Sequence, residues 1–143
     1  MINRYFIASD ILVDYLFDDN DQKIRNDNLT YKYIANILKN KENICVINSS
    51  SLIEILYHSN NKKENASFDI ANLLVQFYND AERWIVIEED ENIIKKALEY
   101  SEKTKIDYPI ILQYFCAIEN KCKAIITNNP EFPKIDISII SSK

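Results

Sequence analysis

Apolar residues along this chain fall into two alternating rhythms. Short runs rich in β-branched residues occupy positions 4–8, 44–47, 84–87, 123–127 and 137–140, and their length and composition predict strands. Between them lie longer stretches in which apolar side chains recur every three or four residues, the spacing of one buried helix face. Such stretches begin after recognisable start signals: Asp10 before residues 11–17, Ser51 with Glu54 at capping-box spacing, Asp90 before residues 93–100, and Asp107 before residues 109–118. Two further helices are expected at 31–38 and 68–77, the second with Phe68, Ala71, Leu74, Val75 and Tyr78 on one buried face. Strands that alternate with helices in this way imply an α/β fold: a central, mainly parallel sheet of about five strands flanked by helices. The polar stretches 18–28 and 59–65 suit loops.

A length of 143 residues is that of one domain, residues 1–143, large enough for a core without disulfides or structural metals. No apolar run approaches the roughly 18 residues of a membrane span, and the amino terminus runs into a strand with no export signal, so a cytoplasmic protein without membrane contact is expected. Cys45, Cys116 and Cys122 fit neither a zinc knuckle nor a redox pair and are expected to be buried, reduced thiols. The net charge of −5, with lysine pairs dispersed along the chain, weighs against a broad electrostatic grip on nucleic acid. The chain has no glycine, which excludes a P-loop and the glycine-rich dinucleotide fingerprint, because both need a backbone approach that a side chain obstructs.

Chemistry in a parallel sheet gathers beyond the carboxyl ends of the strands. Those positions are Ala8-Ser9-Asp10 after the first strand, residues 49–54 after the second and Thr127-Asn128-Asn129 after the fourth. Ser49, Ser50 and Ser51 lack the histidine and acid that would activate a nucleophile. His58 has no second histidine or cysteine cluster to make it a ligand. Tyr31, Tyr33, Phe68, Phe77, Trp84, Tyr114 and Phe115 are assigned to core or subunit packing, since a base-stacking platform would need a neighbouring basic groove.

Four segments in order carry a resemblance. Residues 5–16, a strand ending in Ala8-Ser9-Asp10 and an apolar helix, come first; Ser50-Ser51-Leu52-Ile53-Glu54-Ile55 follows; then Ile106-Asp107-Tyr108-Pro109-Ile110-Ile111; then residues 122–127 with Asn129 and Phe132. Together they resemble the PIN-domain ribonucleases, in particular the VapC-type toxins. The resemblance implies a three-layer fold, metal-dependent endoribonuclease activity, and acidic residues converging on Mg²⁺ or Mn²⁺. In this chain Glu54 matches the second acid and Asn129 the fourth, whereas Ala8 and Ile110 stand at the first and third. Neither alanine nor isoleucine offers an oxygen ligand, and two separate losses point to divergence.

Compensation would have to come from Asp10, from Asp14 one turn later, or from Asp107 one turn before Ile110. The candidate catalytic residues are therefore Glu54, Asp10 and Asp107, and the candidate metal ligands Glu54, Asp10 and Asn129. Each has a plainer role: Asp10 and Asp107 as helix caps, Glu54 as the far end of a capping box, Asp14 as an exposed helix residue. Three functions stay open at this point: a catalytically impaired PIN protein that binds RNA or a protein, an active ribonuclease with rearranged carboxylates, and an interaction module without enzymatic activity. The toxin branch would add an antitoxin-like partner and a homodimer.

Overall fold

A computed structural model describes residues 2–17, 29–60, 75, 79–80 and 82–142. The strands are β1 (Asn3–Ile7), β2 (Asn43–Asn48), β3 (Trp84–Ile87), β4 (Ala124–Ile126) and β5 (Ser138–Ile140). The helices are α1 (Ser9–Phe17), α2 (Leu29–Lys39), α3 (Ser49–Asn60), α4 (Glu91–Thr104) and α5 (Tyr108–Glu119). All strands pair in parallel, in the order β3-β2-β1-β4-β5, with Tyr5 opposite both Cys45 and Ala124. The expected α/β fold with a five-stranded parallel sheet is thus the observed one.

Side-chain alternation along the strands divides the core in two. Phe6, Ile44, Val46 and Ile125 point to one face, where they meet Ile93 and Ala97 of α4 and Ile111, Cys116 and Ala117 of α5. Ile7, Cys45, Ile47 and Ile126 point to the other and meet Ile11 and Leu12 of α1, Ile34 of α2, and Leu52 and Ile55 of α3. Every residue of β2 is buried, as a central strand covered on both faces requires. Arg83 locks the turn that leads into it, its Nη2 donating to the carbonyls of Leu38 at 2.5 Å, Asn40 at 3.1 Å and Asn43 at 3.3 Å.

Helix starts depart in part from expectation. Asp90 caps α4 as predicted, accepting from the Ile93 N–H at 2.8 Å. Asp107 holds the cap position of α5 but makes no side-chain cap bond. Asp10 is no cap, because α1 begins one residue earlier at Ser9. The Ser51–Glu54 capping box does not form, because α3 begins two residues earlier, at Ser49; Ser51 lies inside the helix, its hydroxyl bonded to the Asn48 side chain. The helix also runs to Asn60, so residues 59 and 60 are not loop. Two left-handed positions, which ordinarily favour glycine, carry Lys105 (φ 65°) and Lys121 (φ 56°) in this glycine-free chain.

The expected helix at 68–77 lies outside the described residues except for Val75, which is 56% exposed and so stands off the buried face its spacing predicts. Residues 18–28 and 61–65 also lie outside them. Cys45 and Cys116 are buried and Cys122 half-buried, all three free. Burial pushes each thiol up to about 12, which leaves it protonated and unreactive. Trp84 and Tyr114 are core residues, with Tyr114 edge-on to Phe115 at 5.4 Å. No helix among the described residues is long and apolar enough to cross a membrane.

Candidate functional site

The sheet order reverses direction at β1. The chain moves outward on one side through β2 and β3, then returns to place β4 and β5 on the other. The switch point therefore lies beyond the carboxyl ends of β1 and β4, where Ala8-Ser9-Asp10 and Thr127-Asn128-Asn129 emerge, as expected for a site in this type of sheet. The amino ends of α3 and α5 open at the same edge.

The centre of this edge is apolar. Ala8 is 0% exposed and Ile110 8% exposed, and both belong to one cluster with Phe6, Val46, Ile111 and Phe132. Ile110 is fixed there because it begins the run Ile110–Ala117 of α5, buried except for half-buried Phe115, of which only Gln113 is strongly polar. Gln113 is 3% exposed and fully used: its Oε1 accepts from the Ser9 N–H at 2.7 Å, and its Nε2 donates to Ser9 Oγ at 3.2 Å and to the Pro109 carbonyl at 3.1 Å. The starts of α1 and α5 are thus joined by an amide.

Asp10 is committed on the other side of the switch point. One carboxylate oxygen accepts from Thr127 Oγ1 at 2.8 Å and the other from the Asn128 N–H at 2.9 Å, tying α1 to the end of β4. Asn128 in turn bonds Ser141 and Ser142 past the end of β5. Asn129 stabilises its own turn, its Oδ1 accepting from the Glu131 N–H at 2.9 Å. Asp14 is half-buried and not free. Asp107 is exposed at the head of α5.

Glu54 sits apart from these. It lines a cleft of about 220 Å³ between α3 and α5, together with Asn48, Ser50, Ile53, Tyr108, Leu112 and Gln113. Its tip reaches solvent and no hydrogen bond or ion pair holds it among the described residues, while partial burial against the cleft wall pushes its carboxyl above the usual 4.5. Beyond Asn48 and Ser50 stands Glu89, whose carboxylate collects the donors of the α3 start. The His58 side chain lies outside the described residues.

The PIN-domain family model matches residues 6–138. The chain belongs to the PIN-domain family. Solved structures share the PIN fold at low identity. One is VapBC2 from Rickettsia felis bound to a DNA fragment from its promoter, with TM-score 0.69 and 19% identity over 96% of this chain and 98% of that one. Another is a toxin–antitoxin complex from Klebsiella pneumoniae, with TM-score 0.68 and 15% identity over 97% and 98%. A third is VapC20 from Mycobacterium tuberculosis, a Sarcin-Ricin loop cleaving toxin, with TM-score 0.68 and 9% identity over 90% and 92%. No curated protein matches the chain in sequence.

A PIN metal centre requires several oxygens facing one cation. Among the described residues, the side chains at this edge do not form such a set. Two positions hold carbon side chains packed into the core, and the oxygens of Asp10 already bind Thr127 and Asn128. Among the described residues no group of three or more histidine, cysteine, aspartate or glutamate side chains is placed to hold a metal. Asp10, Glu54 and Asp107 are therefore not brought together as one cluster. Two residues that organise this edge, Gln113 and Glu89, do not stand out in the sequence by charge or spacing. The signal for Gln113 is that a strongly polar side chain inside an apolar helical run must find a partner. Glu89 lies within the acidic run Glu88-Glu89-Asp90-Glu91 and carries no comparable mark.

Proposed function

We propose that this PIN-domain chain is a VapC-like protein that has lost metal-dependent RNA cleavage and works by binding an antitoxin-like protein. The observation that carries this is the joint packing of Ala8 and Ile110 in one apolar cluster where the family's first and third acids would stand. Carbon at both positions removes the charge that attracts a divalent cation, and the bulk of Ile110 takes space that a hydrated ion would need. The net charge of −5 and the carboxylates beside the cleft favour a protein over RNA as the bound partner. The fold neighbours include a VapBC complex and a toxin–antitoxin complex, which supports a small antitoxin-like partner. We take residues 1–143 as one cytoplasmic domain that forms a homodimer, a state that light scattering measures directly.

The deciding assay incubates the purified chain with total cellular RNA and millimolar Mg²⁺ or Mn²⁺. The expected result is no cleavage above that of Glu54→Gln. Strong metal-dependent cleavage that disappears in Glu54→Gln would overturn the proposal. It would favour instead an active nuclease with rearranged carboxylates, to which the exposed Glu54 carboxylate at the cleft lends its one supporting observation. Co-purification tests the partner: a constitutive small protein without RNA crosslinking is expected, and RNA crosslinking without a protein partner would contradict it.

A further inference from the structure

A parallel sheet delivers each following helix with its amino end at the carboxyl edge, where unpaired N–H groups and the helix dipole favour negative charge. At the start of α3 one such N–H and two neighbouring side-chain donors converge on one side chain of the same chain. Glu89 Oε1 accepts from Asn48 Nδ2 at 2.8 Å and from the Ser50 N–H at 3.1 Å, and Oε2 accepts from Ser49 Oγ at 2.8 Å. The register explains the placement: Asn48 pairs with Ile87 at the last step of the β2–β3 ladder, and Glu89 follows two residues on.

We propose that Glu89 is a resident anion that closes the amino end of α3 to phosphate and thereby determines what the adjoining cleft accepts. The donors it takes are the ones a phosphate would need at a helix start. Asn48 and Ser50 both line the cleft. The Gln113 side-chain amide of the same wall is equally committed, donating to Ser9 and to the Pro109 carbonyl. What is left of the lining is mainly apolar, through Ile53, Tyr108, Pro109 and Leu112, with the Glu54 carboxylate beside it. A phosphodiester entering here meets carboxylates and an apolar wall. Burial works to push the Glu89 carboxyl up, but the hydrogen bonds from Ser49 and Ser50 outweigh it and hold the group below 4.5, so the resident anion is charged at neutral pH.

The inference rests on the geometry of α3 and not on the loss of cleavage, so the two fail separately. It is tested by titrating the isotope-labelled full chain with inorganic phosphate while following the amide resonances of Ser49, Ser50 and Ser51. The wild type is expected to show no saturable shift at Ser50. Glu89→Ala, which frees all three donors, is expected to gain one. Glu89→Gln keeps an acceptor but removes the charge, and is expected to gain a smaller shift while preserving the fold. A saturable Ser50 shift in the wild type overturns the proposal. So does the absence of any gain in whichever of the two variants remains folded.

Discussion

Gln113 of α5 and Ser9 of α1 are joined by two hydrogen bonds, Ser9 N–H to Oε1 at 2.7 Å and Nε2 to Ser9 Oγ at 3.2 Å, across 104 residues of sequence. The two helices they join follow or carry the positions of the family's first and third acids. In a metal centre a cation would bridge those positions. Here a neutral amide joins their sequence neighbours, Ser9 and Pro109, which fixes the helix starts without any charge to balance.

Removing that amide takes away the bonds it makes to half-buried Ser9 and to the carbonyl of exposed Pro109. Gln113→Ala is expected to cost about 0.5–1.5 kcal/mol, the usual net contribution of a hydrogen bond whose freed partners can reach water. A urea titration reads this as a lower midpoint with an unchanged slope. A midpoint equal to that of the wild type would mean that the bridge contributes nothing to the fold.

Restoring an acid at the first position should damage the protein rather than repair it. Ala8 is fully buried in an apolar cluster, so Ala8→Asp places an uncompensated charge there, at a cost of about 3–5 kcal/mol. The introduced carboxyl would resist ionisation, and the loss would ease as pH falls. Thermal unfolding at pH 7 and pH 5 measures both effects. Addition of Mn²⁺ is expected to leave the wild-type melting temperature unchanged.

The layers of this fold are visible in the sequence because they depend on local periodicity. Trp84–Ile87 is a strand at its expected limits, and the other four strands lie within about a residue of their predicted limits or slightly inside them. Asp90 caps its helix because its partner, Ile93, is three residues away. Ser51 does not cap, because the chain turns into α3 already at Ser49, and nothing in the run of three serines marks which one comes first. The departures Ala8 and Ile110 are visible only through the family pattern. Gln113 and Glu89 act through partners about 104 and 40 residues distant, a separation that no local rule spans.

The two carboxylates beside the cleft should give opposite acid responses. Glu89 is held below 4.5 by its hydrogen bonds, so its contribution is present above the unfolded value and is lost as pH falls through the lower folded value. Glu54 is raised by burial, so the folded state takes up its proton first and gains stability as pH falls through that raised value. Glu89→Gln is therefore expected to flatten the acid limb of the stability curve below pH 4.5, and Glu54→Gln to leave stability at pH 7 unchanged or slightly higher. Denaturant midpoints from pH 3 to pH 7 decide the signs. An unaltered acid limb in Glu89→Gln would contradict the assignment.

Asp10 is the residue for which a structural and a metal-binding role predict different measurements. Its carboxylate accepts from both Thr127 Oγ1 and the Asn128 N–H, so it holds α1 against the end of β4. Hydrogen bonds to a charged acceptor typically contribute about 1.5–3 kcal/mol, so Asp10→Ala should lower stability by that amount, and Asp10→Asn by less because one acceptor remains. Thr127→Val removes one donor, and combining it with Asp10→Ala should cost less than the sum of the single losses, because both remove the same bond. A residue whose role is to hold a cation would instead show additive losses, together with a wild-type stability that rises with Mn²⁺. The double-mutant cycle, run in chelator and again in Mn²⁺, separates the two: non-additivity in both conditions assigns Asp10 to the α1–β4 tether.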